Sequence, residues 1–195
     1  MPKLNVEDGK EIYYEDHGAG DNALLLIHGW GMSLRTWDYS LQALVNEGLR
    51  VVLLDHRCCG GSDKDFQDRG ISALADDVVS IVKELNLAKV VVNGWSLGGA
   101  VATASAERLG EICSGLALTC GASPVYLQKS DFPHGGTDDA LAETVQAINS
   151  DRVNFLYGLS QGICATEITE QQINWMWEIF MQASPSAVDA LAELG

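Results

Sequence analysis

Val90-Val91-Val92-Asn93-Gly94-Trp95-Ser96-Leu97-Gly98-Gly99 is the stretch on which the rest of the chain depends. It joins a β-branched run to a G-x-S-x-G motif and then to the small residues Ala100, Ala102, Ala104 and Ala106. Buried strands read as continuous Val/Ile/Leu runs, and a serine in the tight turn between such a strand and a helix has its Oγ pushed out above the sheet. Gly94 and Gly98 answer to the crowding of that turn, because a Cβ at either would meet the neighbouring strand or helix. A bare G-x-S-x-G also occurs in ordinary glycine-rich turns; the strand before it, the helix after it and two motifs upstream give it weight here.

Outward from this stretch, strand and helix alternate. Ala23 to Ile27 is fully apolar, hence a central strand, and runs into His28-Gly29-Trp30-Gly31. Trp37, Leu41, Leu44 and Val45 recur at helical spacing, and Leu49 to Leu54 reads as a second buried strand leading into Asp55-His56-Arg57-Cys58-Cys59-Gly60-Gly61-Ser62. Ile71, Leu74, Val78, Ile81 and Leu85 lie on one face of a helix, and Gly115 to Thr119 makes a further strand. Before all of these, Lys3 to Tyr14 reads as a hairpin turning at Asp8-Gly9. The alternation predicts an α/β fold with a mostly parallel sheet and right-handed crossovers.

After residue 122 the strand-like runs stop. Helices are expected around Leu141 to Ile148, around Val153 to Leu159, and from a Thr169/Gln172 capping box through Phe180. A last helix is expected from the Ser184-Pro185 start to Leu194. We therefore expect two parts, a core over residues 1–122 and a helical cap over 123–195.

With 195 residues and 47% hydrophobic content the chain has ample material for a core. A net charge of -15 would repel phosphate backbones and anionic lipid, so nucleic-acid and membrane-surface partners are not expected. Five cysteines without C-x-x-C spacing suggest neither a zinc site nor a disulfide framework, and residues 1–20 carry acids such as Asp8, Glu11, Glu15 and Asp16 and no apolar signal core. A reduced, cytoplasmic protein is the expectation.

The three motifs, His28-Gly29-Trp30-Gly31, Asp55-x-Arg57-x-x-Gly60-x-Ser62 and Gly94-Trp95-Ser96-Leu97-Gly98, come in an order that resembles the α/β-hydrolase family over residues 4 to 122. The chain is most similar there to small carboxylesterases, enol-lactonases and cofactor-free haloperoxidases. The resemblance implies that Ser96 is the nucleophile of an acyl-serine mechanism on a small ester, lactone or related acyl substrate. It implies also that the backbone N–H groups of Trp30 and Leu97 form the oxyanion hole, with no metal or organic cofactor. His28, Gly29, Asp55 and Arg57 read as structural: His28 shapes its loop, and Asp55 with Arg57 forms a turn pair. Where the family usually has glycine after the arginine, this chain has Cys58, which suggests a looser or differently shaped turn. Trp30, Trp95, Trp175, Trp177 and Phe180 either line a substrate pocket or pack as core.

A general base is missing. Downstream of Ser96 the only histidine is His134, with Asp131 nearby, in what reads as a loop. In relatives the triad acid and histidine come from two further strands, roughly 60 to 80 residues at about 30 residues per unit. The expectation is a fragment that is inactive or weak by itself. The alternative is a non-catalytic protein of this fold that binds a small apolar ligand under the cap.

Overall fold

The computed structural model describes residues 2–123 and 125–192. A hairpin, β1 (Lys3–Glu7) and β2 (Lys10–His17), opens the chain, and Gly9 supplies the positive φ of its turn. Then follow β3 (Asn22–Ile27), α1 (Asp38–Asn46), β4 (Arg50–Leu54), α2 (Ile71–Glu84), β5 (Lys89–Trp95), α3 (Leu97–Leu109) and β6 (Cys113–Thr119). The sheet order is β1-β2-β4-β3-β5-β6, antiparallel over the first two pairings and parallel over the rest.

That order makes the site. The chain moves from β3 to β4 on one side, then crosses back over β3 to lay down β5 and β6 on the other. At such a switch point the loops leaving two adjacent strands diverge, and a crevice opens at their carboxyl ends. Here those strands are β3 and β5, and the loops are residues 28–33 and the turn around Ser96.

Side-chain alternation assigns the layers. Leu25 and Ile27 of β3 join Val52, Leu54, Val90 and Val92 in a core closed by Leu74, Val78 and Ile81 of α2 and Val101 and Ala102 of α3. Leu26, Val51 and Leu53 face the other way, against Leu41, Leu44 and Val45 of α1. On the edge strand β6, Leu116 and Leu118 are each 43% exposed.

The remaining helices are α4 (Asp138–Ser150), α5 (Arg152–Gly162), α6 (Glu170–Met181) and α7 (Asp189–Ala192). The Thr169/Gln172 capping box forms in full at the start of α6. Within the described residues the expected last helix begins more tightly than its sequence suggests. A 3-10 turn over Pro185–Val188, capped by Ser184 Oγ accepting from Ser186 N–H, precedes the four residues of α7. The tail of that expectation, Glu193 and Leu194, lies outside the described residues. Ala183, Ala187, Ala190 and Leu191 belong to the same core cluster as the sheet. Met32, Leu156, Met176, Ile179 and Phe180 form a second cluster, against which Trp30 and Trp95 pack. Among the described residues no helix is long and apolar enough to cross a membrane.

Candidate active site

Ser96 sits between β5 and α3 with φ 54 and ψ -125. Its N–H donates to Thr119 O (3.2 Å), and its carbonyl accepts from Gly99 N–H and Ala122 N–H, each at 2.8 Å. Side-chain-bearing residues in this part of φ/ψ space carry roughly 1–3 kcal/mol of strain and stay there only when their surroundings over-determine them. Here the surroundings are glycines. A Cβ on Gly94 would lie 2.0 Å from Gly98 O, one on Gly98 2.5 Å from His28 O, and one on Gly99 2.5 Å from Gly121 Cα. β5, α3 and the end of β3 approach at backbone contact there and leave no room for a Cβ at residue 94, 98 or 99.

The 28–31 loop passes directly over this turn. A Cβ on Gly29 would be 2.9 Å from the Trp95 ring and 3.2 Å from Ser96 Cβ. The backbone N–H groups of Trp30 and of Leu97, the first residue of α3, make no hydrogen bond among the described residues. The Leu97 amide, unspent at a helix start, carries partial positive charge and suits a developing anion, and the Trp30 amide is a free donor beside it in the loop.

His28 is engaged through both ring nitrogens. Because the backbone N–H of His56 can only donate, His28 Nε2 is the acceptor (3.0 Å), which puts the His28 proton on Nδ1, 2.7 Å from Gly29 O. Reciprocally, His56 Nε2 donates to His28 O (3.0 Å), and the two rings lie 4.2 Å apart. His56 was missed in the sequence. It sits between Asp55 and Arg57, and nothing local marks its contact with a residue 28 positions away.

Burial disfavours the charged imidazole at His28 more than the Gly29 carbonyl favours it, so its pKa falls from 6.5 to about 4; burial and then His28 itself push His56 the same way. Between those pH values the unfolded chain binds the proton that the folded chain refuses. The His28 contribution is therefore whole above pH 6.5 and lost as pH falls through the window, by roughly 3 kcal/mol at about pH 4. Urea unfolding of the protein and of His28→Gln at about pH 7 and pH 4.5 checks this. The variant should lose markedly less stability on acidification, and equal losses would contradict it.

Asp55 acts as a double cap, accepting from Leu34 N–H (2.7 Å) and Gly61 N–H (2.6 Å) through its two carboxylate oxygens. It fills the space that a Cβ at Gly60 would need, since that atom would fall 2.1 Å from Oδ2. Burial raises its pKa against the pull of those two amides. Arg57 corrects the expected turn pair. It does not pair with Asp55 but makes a bidentate pair with Asp77 of α2 (2.7 Å to each oxygen), reaches Glu7 at 2.9 Å, and stacks 5.0 Å from the Phe66 ring. The physical reason is direction: both Asp55 oxygens are already spent on backbone amides, while Asp77 faces the turn from the buried side of α2.

Cys58 adopts φ 67, so the turn keeps a left-handed residue without glycine. The strain is held by four contacts: Cys58 N–H to Asp63 O (3.0 Å), Ser184 N–H to Cys58 O (2.7 Å), Sγ to Lys64 O (3.4 Å), and Ser186 Oγ to Sγ (3.5 Å). The turn is thereby tied to the segment after α6 and is not loose.

The aromatic residues divide. Trp30 is held by Nε1–H to Ala187 O (2.8 Å) and by Phe180 at 6.3 Å between rings, and Phe180 itself is buried beneath Gly31 and Trp30. Trp95 covers Gly29 beside Ser96. Trp177 turns to α5, edge-on to Tyr157 with Nε1–H to Val153 O, and Trp175 meets Tyr39. His134 is exposed and edge-on to Phe132 in a loop closed by the bridges Leu127/Gly136 and Lys129/Phe132, and His17 bonds Glu15. Among the described residues, no hydrogen bond joins a histidine or a carboxylate to Ser96 Oγ, and no group of three metal-ligating side chains is present.

A family model for the alpha/beta hydrolase fold matches residues 22–178, and the chain belongs to that family. Among curated relatives, a non-heme haloperoxidase of Rhodococcus erythropolis is 31% identical over 163 residues, 83% of this chain and 59% of its own length. A pimeloyl-[acyl-carrier protein] methyl ester esterase of Sodalis glossinidius is 28% identical over 92% of this chain and 67% of its own. Among solved structures, an esterase from Exiguobacterium antarcticum superposes with a TM-score of 0.93 at 28% identity, over 98% of this chain and 72% of that one. The chain spans about three fifths of the length of several of the curated relatives it matches.

Proposed function

We propose that the chain carries the nucleophile half of a serine hydrolase acting on a small carboxylic ester, lactone or related acyl bond. Ser96 Oγ adds to the carbonyl carbon while its proton passes through water to the departing alkoxide; the oxyanion sits against the N–H groups of Trp30 and Leu97; the alcohol leaves an acyl-serine, which water hydrolyses to the acid and free Ser96. The carrying observation is the strained Ser96 backbone beneath the Gly29–Trp30 loop. The relatives named for esterase and haloperoxidase activity support the reading at the level of family. No metal or organic cofactor enters the scheme. We assign residues 1–122 to the core and residues 123–195 to the cap, of which Ala183, Ala187, Ala190 and Leu191 pack into the core and α6 meets the Gly31 and Trp30 loop through Phe180.

Because no histidine stands on Ser96 among the described residues, proton removal is unassisted and turnover by this chain is slow. Loss of triad partners typically costs on the order of 10⁴- to 10⁶-fold. The same observation favours the second reading, a non-catalytic protein that holds a small apolar ligand under the cap. A fluorophosphonate probe separates them. On the hydrolase reading, prolonged incubation places one adduct on the peptide containing Ser96, none appears in Ser96→Ala, and heat-denatured protein is not labelled. Labelling that is absent, or equal in the denatured protein, supports the binding reading.

A further inference from the structure

His56 is buried to 3% exposure, and its Nδ1 has no hydrogen-bond partner. An apolar residue at the same place would leave no such unpaired atom, so the other side of the ring must do something that an apolar residue could not. That side donates to His28 O, while the His56 backbone N–H donates to His28 Nε2. Each histidine thereby sets its ring against the other's backbone, and the two residues after His28 are Gly29, over Ser96, and Trp30, whose N–H is one of the two proposed oxyanion donors. His56 and Trp30 also line, with Gly31, Cys59, Leu97 and Ala187, a single cavity of about 10 Å³. The ring thus borders the same small void as the two residues that carry the proposed donors.

We propose that His56 is a positioning residue: as the Nε2–H tautomer it clamps the His28 carbonyl and so sets the height of the Trp30 N–H over the Ser96 turn. This rests on the hydrolase reading given above. Misplacement of an oxyanion donor is felt in the chemical step and not in the encounter with substrate.

The test uses the whole chain and the same fluorophosphonate probe, read as kinact and KI at Ser96. His56→Gln, whose amide nitrogen reaches the place of Nε2, should keep kinact within about threefold, whereas His56→Leu and the shorter His56→Asn should lower it about tenfold or more with KI unchanged. A purely structural role would instead alter the fraction folded and leave kinact per folded molecule as it was. Long-range ¹⁵N–¹H spectra of the unsubstituted protein provide a readout that no misfolded variant can spoil: His56 should carry its proton on Nε2 and His28 on Nδ1. The opposite tautomer at His56, or an unchanged kinact in both Leu and Asn variants, overturns the clamp. A chain that is never labelled at Ser96 sinks the hydrolase reading, and the positioning role with it, while the tautomers still report whether the clamp exists.

Discussion

Gly94→Ala is expected to prevent stable folding. The new Cβ would stand 2.0 Å from Gly98 O, 2.4 Å from Gly98 C and 2.7 Å from Ala102 Cβ. Two of these three atoms are backbone, so no side-chain rotation relieves the clash. Nor can α3 retreat, because Gly98 and Gly99 on its first turn already touch the end of β3 and Gly121 at distances that exclude a Cβ of their own. Ordinary overpacking costs about 1–3 kcal/mol. A clash between two backbones with no exit belongs to the exceptional class above about 4 kcal/mol, comparable with the whole stability of a domain. Gly158→Ala is the control: it lies within α5 with nothing inside 4 Å of its added Cβ, and should gain about 0.5–1 kcal/mol from helix propensity. Urea midpoints for the two variants decide the matter. A Gly94→Ala protein that unfolds within about 1 kcal/mol of the unsubstituted chain would show that β5 and α3 are not in backbone contact.

Ser96→Gly is expected to separate stability from chemistry. Glycine enters φ 54, ψ -125 without the Cβ penalty, so the strain of roughly 1–3 kcal/mol is released, less a fraction returned through the greater freedom of glycine in the unfolded chain. The midpoint of unfolding should rise while labelling at residue 96 disappears completely. Ser96→Ala, which keeps the Cβ, should lose labelling without the gain. If Gly and Ala variants are equally stable, the Ser96 backbone is not strained, and the observation carrying the proposed function falls. The same contrast shows why a site of this kind is destabilising by construction: the geometry that lifts a hydroxyl out of a turn is one that only glycine enters freely.

Much of this arrangement was legible from residue order alone. The β-branched run before Gly94, the alanines after Ser96 and the helical spacing from Ile71 to Leu85 reflect local periodicity, and periodicity survives in one dimension because each side chain's face is set by its neighbours three or four places away. The capping box at Thr169 was equally local, two side chains serving amides within one turn. Asp55 was legible as a structural turn residue but not by its partners, one of which, the Leu34 amide, comes from 21 residues upstream. Arg57 was not. Its partners, Glu7 and Asp77, lie 50 and 20 residues away on different elements, and only the sheet order brings them to one side of the turn. The last helix was misjudged in form for a related reason: Ser184 N–H and Ser186 Oγ are engaged by Cys58, which holds the segment in a tighter turn than its own residues would choose.

What the sequence by itself determined was the order of strands and helices, the glycines of the serine turn and the identity of the residue lifted there, all consequences of interactions within a few positions. The tertiary structure alone decided that the loop after β3 lies across that turn, that His28 and His56 lock each other as neutral tautomers, and that Trp30 is held by Ala187, which is 157 residues away. Those contacts depend on β3 and β5 being neighbours after a crossover, and pairing between residues as distant as Asn22 and Lys89 leaves no periodic trace in the chain that makes it.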